Sequence, residues 1–161
     1  MSKLIATFFG VGLLKPAPGT WGSLAALPLF WITYEITGLI GILIVSAAAF
    51  YFGWKATEVY SRQRQSHDAS EVVIDEVVGQ FIALLPVGII AIIMGVSIER
   101  LWPGWILAFV LFRAFDIFKP GIIGRFDKST TALSVMLDDV FAGLYAAIGV
   151  LILLGAFLGI G

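Results

Sequence analysis

Five acidic residues dominate the chemistry open to this sequence: Asp75 and Glu76, Asp116, and the pair Asp138 and Asp139. Each stands beside an apolar run, where an ionised group is costly unless it is paired or bound to a metal. Oxygen ligands alone, in a chain with no cysteine and one histidine, suit Mg2+ far better than zinc. Two plainer accounts compete. The charges could be helix-terminal groups that snorkel into interfacial water, or Asp75 and Asp138, near the starts of apolar helices, could be held by the helix dipole without a metal.

Arg113, Asp116 and Lys119 follow one another at i, i+3 spacing, which puts them on one helical stripe. An acid between two bases can hold a metal while the bases hold phosphate oxygens, and Arg113 could grip a phosphate bidentately and stabilise charge in the transition state. The rival reading of the same stripe is an internal salt-bridge ladder. Upstream, residues 18–23 place Gly19, Thr20, Gly22 and Ser23 just before an apolar helix. Such a turn can aim backbone N–H groups at an anion, with Thr20 or Ser23 as cap or phosphate ligand. An ordinary capped helix start reads the same way. His67, the single histidine, stands beside Asp68 in a polar stretch and is either a surface residue or a proton shuttle near the metal. The absence of cysteine excludes a thiolate metal site and a cysteinyl-phosphate intermediate.

The elements that must position these groups are membrane helices. Apolar residues make up 60% of the 161 and charged ones 13%, against about 45–50% and about 25% in soluble domains. Uncharged runs at residues 36–54, 77–98 and 140–161 each approach the ~20 residues of a spanning helix. A fourth run begins at Leu101 and reaches Phe118 if Arg113 and Asp116 sit at the membrane edge, while the shorter run at 22–34 is of undetermined depth. Residues 1–14 have the outline of a secretory signal without a cleavage site, and are read as a retained segment at the interface. Polar loops are expected at 61–70 and 121–131. The prediction is an all-α, compact multi-helix integral membrane bundle, a single domain over residues 1–161, with its charged helix ends gathered on one face. Nine of the ten basic residues fall on that face, Arg100 alone opposite, so the face should be cytoplasmic. The formal net charge of −1 and the lack of a basic tract argue against a nucleic-acid partner, and no residue pattern signals an oligomeric state.

Four motifs in register then carry a family resemblance: Pro18, Gly19, Thr20, Gly22 and Ser23; His67 and Asp68, followed by Asp75, Glu76, Val78 and Gly79; Phe112, Arg113, Phe115, Asp116, Lys119 and Pro120; and Asp138, Asp139, Ala142 and Gly143. Their order and spacing, from about Phe9 to Gly149, resemble phosphatidylglycerophosphatase A. The resemblance implies Mg2+-dependent hydrolysis of phosphatidylglycerophosphate to phosphatidylglycerol and phosphate at the inner membrane of a bacterium. It implies Asp75, Glu76, Asp116, Asp138 and Asp139 around the metal, with Asp75, Asp116, Asp139 and His67 in catalysis. Thr20, Gly22, Ser23, Arg113 and Lys119 would hold the phosphate. Either a metal-activated water or an aspartate nucleophile would serve. The chain departs from the family in one loop, reading Gly121, Ile122 and Ile123 after Lys119 and Pro120 where the family usually has a further proline. Residues 130–134 likewise replace a glycine-rich segment. From a different class, a small cation transporter or channel would also carry membrane carboxylates, but it should place charges near the midplane and often shows an inverted repeat; neither is visible in the sequence.

Overall fold

The computed structural model describes residues 1–64, 70–121, 123 and 131–159. Their regular structure is helical, as expected. A short helix α1 (Ser2–Ala6) and a 3-10 turn (Val11–Leu13) precede α2 (Pro18–Arg64); then come α3 (Ile74–Met94), a second 3-10 turn (Ile98–Leu101), α4 (Trp102–Phe118) and α5 (Ala132–Leu158). Four of these helices are long and apolar enough to cross a membrane.

α2 consists of two arms. Gly38 breaks it with φ 64° and ψ −163°, a left-handed φ that glycine adopts without the Cβ penalty. Tyr34 and Leu39, on either side of the break, both lie against Gly88 of α3, whereas Gly22 of the first arm faces Val73 and Gly53 of the second faces Ile74. The chain therefore descends along α3, reverses at Gly38 and climbs back. The first arm, about 30 Å long at 1.5 Å per residue, starts at Pro18 rather than near Gly22. Proline at the first helical position needs no N–H partner and presets φ, so the motif expected to precede the helix forms its first turns.

α3 lies at the centre. In its apolar window 67% of residues are buried, against 11% to 33% in the other three spans, consistent with a helix that is apolar on every side. Phe30 packs edge-on against Phe81 of α3 and Trp105 of α4, at ring separations of 5.3 and 5.7 Å. α3 and α5 cross at two glycines: a Cβ on Gly143 would strike the carbonyl oxygen of Gly79, and one on Gly79 would strike the Phe112 ring and come 2.7 Å from the Asp139 carbonyl. Small residues at a crossing let membrane helices approach backbone to backbone. Outward-facing side chains such as Ile36, Ile40, Ile92, Phe118 and Phe157 are exposed, an apolar belt of the kind a bilayer covers.

The two ends of the bundle differ. At one, Trp31 Nε1–H donates to Glu99 Oε1 at 2.7 Å and Trp105 Nε1–H to the Ile98 carbonyl at 3.1 Å, an aromatic anchor of interfacial type. At the other, the first residues dock on the segment before α3. Val73 N–H donates to the Ala6 carbonyl at 3.0 Å, and Gly12 fits closely against the Glu71 carbonyl. The segment 1–14 thus caps the charged end.

α5 begins at Ala132, nearly two turns before the expected start at Asp138 and Asp139. Thr131 is its N-cap: Thr131 Oγ1 accepts from Ser134 N–H at 3.1 Å and Ser134 Oγ accepts from Thr131 N–H at 3.2 Å. This reciprocal capping box starts the helix directly after the expected 121–131 loop.

Candidate functional site

Both acidic pairs stand one turn above the glycine crossing, because Asp75 precedes Gly79 by four residues and Asp139 precedes Gly143 by four. Close approach at the crossing therefore holds the two pairs face to face. Carboxylate oxygens of Asp75, Glu76 and Asp139 all lie within 4.8 Å of one another, and Asp75 and Asp139 are buried. Asp116 of α4 stands beside them as an acidic neighbour of Glu76 and Asp139. In each pair the first acid folds back on the second, Asp75 Oδ1 accepting from Glu76 N–H and Asp138 Oδ1 from Asp139 N–H, both at 3.0 Å.

The basic residues divide between two helices. Arg113 Nη1 lies 2.6 Å from Asp116 Oδ2, whereas Lys119 Nζ reaches across to Asp138 Oδ2 at 3.0 Å. A ladder running only along α4 is thus not what forms. Lys119 ends α4 with φ 45°, a left-handed turn at the C-cap that releases its side chain toward α5. The dipole account also narrows. Asp75 and Glu76 do sit in the first turn of α3, but Asp138 is the seventh residue of α5, and the dipole effect fades beyond the first turn.

Of the residues expected to hold phosphate, Arg113 and Lys119 border the carboxylates, and Thr20 sits in the first turn of α2, which points at them. Trp21 N–H to the Ala17 carbonyl at 3.2 Å is the first bond of that helix, and the N–H groups ahead of it, on Gly19 and Thr20, have no intrahelical partner. Gly22 and Ser23 are engaged elsewhere. A Cβ on Gly22 would come 2.8 Å from the Val73 Cβ, so its bareness serves helix packing. Ser23 is fully buried and its hydroxyl donates to the Gly19 carbonyl at 2.9 Å. His67 lies outside the described residues.

Gly19 itself makes the closest approach, since a Cβ there would collide with Glu76 Oε1 and come 3.1 Å from Arg113 Nη1. Gln80, one turn below Glu76, is fully buried with both amide ends unpartnered among the described residues. Glu76 Oε2 and Arg113 Nε are likewise enclosed without a hydrogen-bond partner, and Arg113 Nη1, despite its ion pair, is not aligned for a hydrogen bond. The sequence marks Gly19 only as part of a turn, and Gln80 is hidden inside an apolar run.

A cluster of hard oxygen ligands suits a divalent cation, and an adjacent guanidinium with helix N–H groups that lack an intrahelical partner suits a phosphate. The family profile described as phosphatidylglycerophosphatase A matches residues 4–154. A Haemophilus influenzae protein named phosphatidylglycerophosphatase A is 42% identical, covering 90% of this chain and 83% of that protein. An Escherichia coli protein of the same name is 32% identical over 94% and 82%. A Bacteroides thetaiotaomicron protein provisionally named a phosphatidylinositol-3-phosphatase is 37% identical over 90% and 88%. No solved structure matches.

Proposed function

The chain belongs to the phosphatidylglycerophosphatase A family, and from that premise we propose that it hydrolyses the terminal phosphomonoester of phosphatidylglycerophosphate with Mg2+ held by its carboxylate cluster. The observation that carries the reading is the convergence of Asp75, Glu76 and Asp139 oxygens within 4.8 Å, next to Asp116 and an arginine. The donor set fits the ion: carboxylates from two helices, no nitrogen or sulfur ligand among the described residues, and a bare glycine where a side chain would displace Glu76. Mg2+, when bound, neutralises phosphate charge and acts as a Lewis acid toward the phosphoryl group.

The chain's own residues do the rest. Arg113 and the Gly19 and Thr20 N–H groups bind phosphate oxygens, Arg113 through a planar fork suited to them. Lys119, anchored to Asp138, adds positive charge at the rim. Hydrolysis adds water across the P–O bond to the headgroup glycerol, so one proton must leave the attacking oxygen and one must reach the glycerol oxygen. Asp116 and Asp139, acidic neighbours on α4 and α5, supply carboxyl oxygens able to take up and return that proton. The apolar belt holds the acyl chains and keeps bulk water from the site's inner side. The basic bias of nine to one in the sequence supports a cytoplasmic position for this end.

The test is phosphate release by purified protein from phosphatidylglycerophosphate, phosphatidylinositol-3-phosphate and phosphatidic acid, each with Mg2+ and with a chelator. Mg2+-dependent turnover fastest on phosphatidylglycerophosphate is expected. Preference for the inositol lipid would move the substrate toward the Bacteroides relative's named activity, and turnover that survives chelation would remove the metal.

A further inference from the structure

A buried amide with neither end hydrogen-bonded is costly in any interior and more so in one surrounded by lipid, yet Gln80 is such a residue at 0% exposure. Its neighbours supply a matching deficit. Glu76 Oε2 is an enclosed acceptor without a donor, and Arg113 Nε and Nη1 are enclosed donors without an aligned acceptor. Gln80 offers one acceptor, Oε1, and two donors on Nε2. The orphans are complementary: an Arg113 N–H for Gln80 Oε1, and Gln80 Nε2–H for Glu76 Oε2.

The helix geometry sets the three on facing surfaces of α3 and α4. Gln80 follows Glu76 by four residues, so the two side chains share a stripe of α3. Val87, seven residues further along that stripe, touches Gly104 of α4, so the stripe faces the helix that carries Arg113. Glu76 Oε1 and Arg113 Nη1 already converge on the same spot above Gly19.

We propose that Gln80 is the positioning residue of this site: its amide joins Glu76 Oε2 to Arg113, directly or through one ordered water, and so turns Glu76 Oε1 toward the metal. This rests on the metal reading above. A ligating carboxylate needs its second oxygen held, and outer partners of this kind commonly set metal affinity. An amide suits the task because it fixes Glu76 without neutralising the charge that binds the cation, which a direct Arg113 pair would do.

Gln80→Met keeps the length and removes the hydrogen bonds. The probe is Mn2+, a spectroscopically visible stand-in for Mg2+, titrated into detergent-purified protein by electron paramagnetic resonance, with thermal unfolding recorded on the metal-free sample. The expected result is Mn2+ affinity weakened about 10- to 100-fold, while the metal-free midpoint falls by no more than about 2–4 °C, the loss of about one hydrogen bond. Gln80→Asn, which can still reach through water, should fall between the two and decides the matter if the Met variant does not fold. Wild-type affinity in the variants overturns the proposal, as does a lowered metal-free midpoint with unchanged affinity, the mark of a purely structural amide. If wild-type protein binds no Mn2+, the metal reading fails and takes this inference with it; tight binding by wild type and variant alike removes only the role of Gln80.

Discussion

Adding one methyl group at Gly19 should separate stability from activity. Gly19 lies in the first turn of α2 with helical backbone, so Gly19→Ala reduces unfolded-chain entropy and contributes about 0.4–1 kcal/mol toward folding. The new Cβ would collide with Glu76 Oε1 and press on Arg113 Nη1 at 3.1 Å. Both are far ends of long side chains, which can swing aside at small cost to the fold. They cannot do so without leaving the place where metal and phosphate are held. A displacement on the order of 1 Å in a reacting assembly costs about 100-fold in rate, equivalent to about 2.7 kcal/mol of transition-state stabilisation. The assay is Mg2+-dependent phosphate release per folded molecule, with thermal unfolding on the same preparation. The expectation is an unchanged or slightly higher midpoint and a roughly 100-fold slower enzyme. Gly22→Ala provides the contrast: its Cβ would meet the Val73 Cβ at 2.8 Å and the Val73 carbonyl at 3.2 Å, so stability should fall. A Gly19→Ala enzyme with wild-type turnover would refute the assignment of this helix start to the site.

Lys119→Met removes the partner of Asp138, whose side chain is only 9% exposed; with that charge uncompensated, stability should fall by about 1–3 kcal/mol, read as a lower unfolding midpoint, and a restored midpoint in the double variant with Asp138→Asn would identify the pair as the cause. Gly143→Ala drives a methyl into the Gly79 carbonyl and should force α3 and α5 apart, costing about 1–3 kcal/mol together with turnover, since both acidic pairs ride on that crossing; a variant that is destabilised yet fully active per folded molecule would show that the crossing does not set the site. Single cysteines at Ser66 and Ser129, in a chain free of other cysteines, should resist an impermeant thiol reagent added outside intact cells and react after lysis; labelling from outside would put the active face on the other side.

Much of this arrangement is legible in the sequence because charge is costly in a bilayer. Asp75, Glu76, Asp116, Asp138 and Asp139 stand out against uncharged runs, and they do meet at one end of the bundle. What hydropathy hides is how far a helix continues past its last apolar residue. The apolar run starts at Val140 and the acidic pair before it reads as the helix start, although α5 begins nearly two turns earlier at Ala132, and only the Thr131 and Ser134 pair, read as a capping box, marks that start. The same blindness placed the first arm of α2 at Gly22 instead of Pro18. Gly38, one of 18 glycines, does punctuate the apolar runs in the sequence, but nothing local shows that the chain reverses there. Gly79 and Gly143 read as ordinary packing residues until their common offset of four from Asp75 and Asp139 is noticed. Gln80 carries no signal by itself, because an amide inside an apolar run becomes informative only when its partners are found missing.

The central claim, that the buried carboxylates form a metal-dependent catalytic centre, is tested most directly at Asp139. Its carboxyl has Asp116, Asp75 and Asp138 as acidic neighbours, like charges that destabilise the metal-free protein and are relieved by a cation. Asp139→Asn preserves shape and removes one of those charges, so the metal-free protein should be at least as stable as wild type. Mg2+-dependent phosphate release from phosphatidylglycerophosphate, per folded molecule, should nonetheless fall by orders of magnitude. Near-wild-type release by Asp139→Asn would contradict the account.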